Sequence, residues 1–252
     1  MNKFINLLSF FLVIILLILG NLLINQYNTS GLLPISYAET AKHNNDNYNL
    51  IVSILKDTNK NKLIKYADYF ELTITENIPN LPKSKIAFSL SLPEKVSFIA
   101  IYDKIDNNNY KFEYLIDNLS TINNFYFYNE FLIVEQADNN SSNDFSEKKF
   151  FEIFIREDYI FKSIFTKNTY SEKIFKYNDD NYKEIENASI DYIPGEIPEI
   201  LCIVTVSTYK NELPAIGKDN FFEEISQSTK KEIYSFDYST NKFILSKEEI
   251  LR

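Results

Sequence analysis

Tryptophan does not occur in the 252 residues, glycine occurs four times, and cysteine, histidine and methionine once each. Each scarcity excludes a class of chemistry. The single cysteine, Cys202, has no intrachain disulfide partner. It sits in the apolar run "EILCIVTV", where a thiol acts as a small hydrophobe. The only histidine, His43, precedes the body of the chain, which leaves that body without the imidazoles of a serine triad or a zinc site. Four glycines do not supply the loops of a P-loop or a dinucleotide fingerprint. The lack of tryptophan removes the usual flat platform of a sugar site. Arginine is confined to Arg156 and Arg252, and residues 39–252 carry 25 bases against 35 acids, a net of −10. Such a surface repels phosphate backbones and shows no basic stripe, so nucleic acid is not an expected partner.

What is present is aromatic and β-branched. Hydrophobic residues make up 45% of the chain, with 18 Tyr and 21 Phe. These composition figures describe a folded protein rather than a disordered one, and Phe, Tyr and Ile are residues that fill strands. Lysine in place of arginine, abundant asparagine and scarce glycine match the codon bias of an AT-rich genome.

The opening segment carries the clearest signal. After Lys3 the chain runs apolar from Phe4 to Ile24, interrupted only by Asn6, Ser9 and Asn21, and no acid occurs before Glu39. Those residues match the roughly 20 needed to cross a bilayer core as a helix. The unbroken heart, Phe10–Leu19, also has the length of a signal-peptide core, and Ser36-Tyr37-Ala38 offers the small–x–small pattern of a cleavage site. Both readings direct the acidic body outward, with Lys3 inside. No cysteine follows the apolar run, so a lipoprotein anchor is not expected. The expected organisation is a signal peptide or transmembrane anchor over 1–38, a polar linker over 39–49 and one extracytoplasmic β-rich domain over 50–252.

Within that domain the spacing of Leu50, Ile51, Ile54 and Leu55, then Leu63, Ile64, Ala67 and Phe70, predicts a helix or helix pair over 49–69. Strands follow. "VSFIAIYDK" and "EILCIVTV" are apolar on both sides and read as central strands covered on both faces. "YKFEYLID" places Tyr110, Phe112, Tyr114 and Ile116 on one face and Lys111, Glu113 and Asp117 on a wet one. In "FYFY", Phe125 and Phe127 share a face opposite Tyr126 and Tyr128. Asn and Asp fill the turns, because their side chains tolerate left-handed backbone angles. A short helix is expected in "DNFFEEISQSTKK" and a hairpin in "EIYSFDYSTNKFIL". The segments beginning "FIAIYDK" and "FFEIFIRE" echo each other as two four-strand meanders. The fold class is β-rich, all-β or α+β: an antiparallel meander bent into a sheet or sandwich with one or two short covering helices.

The chemistry left open is narrow. Paired carboxylates such as Glu113 and Glu152 would suit a glycosidase acting on cell-wall polysaccharide. The oxygen-rich loops 103–109, 138–144 and 178–181 have the composition of calcium sites, with Asp179 and Asp180 as the metal candidates, although none shows the alternating pattern of a calcium-binding hand. Tyr110, Tyr114, Tyr126 and Tyr128 are the residues from which an interaction surface would be built. No cofactor is implied. The functional expectation is a bacterial envelope protein, membrane-anchored or secreted after cleavage near Ala38, with a non-catalytic binding or structural domain. The alternatives are a carboxylate enzyme on wall polymer and an accessory or sensor subunit of a membrane complex. Expected partners are the membrane through residues 4–24 if uncleaved, and an envelope protein or wall polymer.

Overall fold

Two sheets organise the chain, and most of its described residues belong to strands. The computed structural model describes residues 31–44, 46–76, 84–93, 95–128, 130–138, 145–158, 160–177, 180–211 and 222–251. The apolar segment 4–24 and Asp179 lie outside the described residues. Among the described residues no helix is long and apolar enough to cross a membrane. The chain divides into two units, residues 1–68 with 102–113, and residues 69–101 with 114–252.

The smaller unit begins with β1 (Leu32–Pro34), which pairs antiparallel with the start of β5 (Asn109–Leu119) through Leu32↔Lys111, Leu33↔Tyr110 and Pro34↔Asn109. Helix α1 (Ile35–Asn44) follows directly, so the stretch 39–49 expected as a polar linker carries the second half of α1 and the start of α2 (Tyr48–Asp57). In α2 the apolar stripe forecast by spacing is the buried one: Leu50, Ile51, Ile54 and Leu55 are at most 2% exposed. The helix ends in a Schellman motif. Lys60 N–H donates to Leu55 C=O, Asn59 N–H donates to Lys56 C=O, and Asn59 adopts φ 59°. A 3-10 helix, Asn61–Tyr69, completes the helical region foreseen for 49–69.

The larger unit is sandwich-like. It holds β2 (Glu71–Glu76), β3 (Lys85–Leu92), most of β4 (Val96–Lys104) and the second half of β5. These belong to a sheet of order β1-β5-β4-β3-β2. The rest is an antiparallel meander, β6 (Thr121–Tyr128), β7 (Phe131–Asp138), β8 (Phe145–Glu157), β9 (Ile160–Tyr177), β10 (Asp180–Ile193), β11 (Glu199–Asn211), β12 (Phe222–Asp237) and β13 (Lys242–Ile250), each strand hydrogen-bonded to the next.

Strand β7 shows how the layers stack. Its Leu132 and Val134 join Ile99, Ile101, Ile116 and Phe125 in one core. Its Phe131 and Ile133, pointing the other way, join Ile153, Phe165, Ile200 and Phe236 in a second. Three layers are therefore packed around two cores, with β7 buried on both faces. The second core forms where the long sheet splits. Strand β9 pairs with β8 from Ile160 to Lys173 and with β10 only from Tyr170 to Tyr177, so the β9–β10 pairing stops at Tyr170↔Asn187. Beyond that point the layers face each other, with Phe165 4.9 Å from Tyr234 and Phe131 5.3 Å from Phe236, ring to ring. On the other side of the split, segments 170–177, 180–187, 205–211 and 222–229 form a four-stranded stretch whose only buried residues are Ser171 and Ser207.

Three expectations need correction. The segment read as a helix within 219–231 is strand where it is described, the first part of β12, hydrogen-bonded to β11 along its length. Its apolar residues are too few to give a helix a buried face. Strand β11 is covered on one face only: Ile200, Cys202 and Val204 are at most 1% exposed, while Leu201 and Ile203 are half-buried. The internal echo does not survive as two four-strand meanders, because "IFKSIFTKNTYSEKIFKY" is one 18-residue strand, β9. Strand β4, by contrast, is covered on both faces as its sequence implies. The left-handed positions fall where the turn composition puts them, at Asn59, Asn118, Asp158 and Asn241.

Candidate functional site

In α2, Ser53, Lys56 and Asp57 follow the i, i+3, i+4 spacing and share one helix face, opposite the buried Leu and Ile stripe. That face forms one wall of a solvent-open cavity of about 470 Å³. Asn59, held by the helix cap, extends the wall. Gly31 and Leu32 at the entry to β1, and Lys111 and Phe112 on the paired strand β5, form the opposite side. Gly31 is required by its geometry: φ is +86°, and its carbonyl accepts the Phe112 N–H at 2.8 Å. A side chain there would be strained and would press on Phe112 Cβ.

Half-buried Asp57 in the wall is joined to a buried tyrosine. Tyr102, fully buried on β4, donates its hydroxyl to Asp57 Oδ2 at 2.8 Å, and its ring meets Phe112 edge-on at 5.5 Å. Loss of solvent raises the Asp57 carboxyl above its ordinary value. The Tyr102 hydroxyl, the Gly31 N–H and the Lys56 charge pull in the other direction without cancelling that burial effect. Burial and the adjacent carboxylate push the Tyr102 phenol well up, so it remains a donor at physiological pH. Asp57 is thus occupied internally. Asp57, Lys56 and Lys111 are the charged groups of the cavity, and neither lysine makes a close ion pair among the described residues.

A second polar cluster lies at the split of the long sheet. Glu232 on the inner face of β12 is 3% exposed. It accepts from Lys167 Nζ at 2.5 Å, from Lys230 Nζ at 2.6 Å and from Tyr234 Oη at 2.9 Å. Burial raises the carboxyl, but the three donors together outweigh it and hold Glu232 below its ordinary value. Cys202, cross-strand from Glu232, is fully buried, and burial pushes its thiol up to about 11. That thiol is a core hydrophobe rather than a nucleophile. Lys230 also meets Glu248 Oε1 at 3.5 Å, so two carboxylates answer the two ammonium groups, and the cluster ties β9 to β12 across the core.

The residues singled out from the sequence scatter. Tyr110 and Tyr114 are buried, at 6% and 9% exposure, and offer no surface. Tyr126 and Tyr128 are exposed at 40% and 37%, and Tyr128 packs on Tyr192 with ring centroids 4.5 Å apart. Asp180 opens β10 and pairs with Lys210 Nζ at 2.7 Å, so an ammonium already answers its charge, while Asp179 is outside the described residues. In the loop 103–109, Asp106 Oδ1 accepts the N–H groups of Asn108 and Asn109 at 2.6 and 2.7 Å, which closes a turn. Among the described residues no three His, Cys, Asp or Glu side chains group in a way that would hold a metal ion. Glu113 and Glu152 belong to different sheets, and Glu152 accepts from Gln136. His43 lies exposed on α1.

The cavity as a whole has no signature in the sequence. Its helix wall was visible as the Ser53, Lys56, Asp57 stripe, but nothing in the sequence pointed Lys111 or Tyr102 toward it. No protein-family model matches the chain, and searches of curated proteins and of solved structures return no match.

Proposed function

We propose that this is a bacterial envelope protein held in the membrane by residues 4–24 and presenting a non-catalytic binding module on the outer side. The observation that supports retention of the apolar segment is the use the fold makes of residues around the cleavage-like motif. Ser36-Tyr37-Ala38 lies inside α1, and Ala38 is fully buried. Upstream of it, Leu33 is fully buried and β1 is hydrogen-bonded to β5. Cleavage after Ala38 would remove β1, the first turn of α1 and the Gly31 wall of the cavity. An apolar run of this length without a charge then acts as an anchor rather than a leader. The binding role draws on the cavity, which falls within the 300–1,000 Å³ usual for small-molecule sites, roughly at its lower end.

Fractionation of cells producing the full chain, with determination of its amino terminus and protease treatment of intact cells, tests this reading. The expected result is an uncleaved chain in the membrane fraction whose body is degraded from outside. A mature chain beginning at Glu39 in the medium would overturn it.

A further inference from the structure

We propose that the cavity between α2 and β5 binds a small anion, a carboxylate or a phosphate, through the ammonium groups of Lys56 and Lys111. The proposal deepens the binding-module reading and rests on it. The chain carries a formal charge of −9, so a pocket that sets two lysines against one aspartate runs against the character of the rest of the chain. The aspartate in the wall offsets one of these charges, but its Oδ2 is turned to the Tyr102 hydroxyl at 2.8 Å and it forms no close ion pair with either lysine, so both ammonium groups keep donors for a ligand. The remaining polar groups facing the space, the Ser53 hydroxyl and the Asn59 amide, can both donate. Charge-assisted hydrogen bonds from two ammonium groups and two neutral donors select an acceptor-rich, negatively charged ligand. The volume of about 470 Å³ admits an organic anion as well as an inorganic one.

The geometry is held by the helix cap and by the β1–β5 pairing. Asn59 takes its left-handed conformation to end α2, which fixes Lys56 and Asp57 in the last turn. The Leu32↔Lys111 register places Lys111 on the strand face opposite the buried Leu33↔Tyr110 pair. Both lysines are therefore carried by hydrogen-bonded elements rather than by a loop, which limits the ordering cost of binding.

Equilibrium dialysis of the full chain in a neutral detergent, at fixed ionic strength, with labelled inorganic phosphate in one arm and labelled citrate in the other, tests the proposal. Saturable binding near one equivalent per chain is expected in at least one arm. The arm that binds identifies the headgroup as phosphate or carboxylate, and either result supports the site. The double variant Lys56→Gln/Lys111→Gln should weaken that binding by at least about tenfold, the loss of two charge-assisted contacts. The double variant Lys62→Gln/Lys65→Gln, which removes the same charge from the exposed 3-10 helix, should leave it within about twofold. Circular dichroism of each variant, matching that of the parent chain, secures the comparison. Saturable binding in neither arm would overturn the proposal, as would equal weakening by both double variants. These failures would leave the membrane tether standing, and a chain found cleaved at Ala38 would overturn the tether without deciding the dialysis of the intact chain.

Discussion

Two carboxylates, half-buried Asp57 and buried Glu232, answer pH in opposite directions. The Asp57 carboxyl is raised in the fold, chiefly by burial, so its ionisation costs stability. That cost is absent below the ordinary value near 3.8 and grows as pH rises through the raised one. Asp57→Asn keeps an acceptor for the Tyr102 hydroxyl and removes the cost. Its stability relative to the parent chain is therefore expected to increase between pH 3 and pH 7 in urea unfolding; a constant difference would contradict the assignment. Glu232 behaves in the reverse sense. Its carboxyl is lowered by Lys167, Lys230 and Tyr234 despite burial, so its contribution is complete above the ordinary value near 4.5 and is lost as pH falls through the lowered one. Glu232→Gln leaves Lys167 without its buried counter-charge and is expected to cost about 3 kcal/mol at pH 7, and less in acid. The pairs responsible were invisible in the sequence, because Tyr102 is 45 residues from Asp57 and Lys167 is 65 from Glu232. Nothing local announces a contact made only by tertiary folding.

Strands were legible where period-2 patterning was pure and burial followed it. Phe125 and Phe127 are buried and Tyr126 and Tyr128 exposed, as "FYFY" demands, and β5 keeps Glu113 and Lys111 in water. The pattern failed where it had to decide length or covering. The polar run "KNTYSEK" predicts a turn, yet it is extended within β9, where Tyr170 and Ser171 pair with both neighbours. The Ile and Val content of β11 predicts a strand covered on both faces, but only every second side chain is fully enclosed. A paired substitution separates these cases. Ile133→Ala, in β7 between the layers, is expected to cost about 2–4 kcal/mol, since the cavity left has no way to collapse. Ile203→Ala on the open face of β11 should cost about 1 kcal/mol or less. Chemical denaturation of the two variants checks the ordering, and equal losses would mean that β11 is covered after all.

At the scale of the whole molecule, the eight-stranded meander has two regimes. Near the split it encloses a core of Phe131, Ile153, Phe165, Ile200 and Phe236. Across segments 170–177, 180–187, 205–211 and 222–229 it is held mainly by the hydrogen-bonded ladder and by surface pairs. These include the stacked Phe175 and Tyr182, Lys183 over Tyr209 and Phe222, and Lys210 with Asp180. Such pairs stabilise a ladder while removing little apolar surface from water. Heat capacity is the quantity that registers the difference, because it rises on unfolding with apolar exposure and falls with polar exposure. Melting this stretch releases many amides and few hydrocarbon groups. Scanning calorimetry should therefore find a heat-capacity increment per residue below the roughly 12–15 cal/mol/K of ordinary globular proteins. The temperature dependence of its stability would then be unusually flat, so that cooling weakens the protein less than it weakens a fold of the same length built around a single enclosed core.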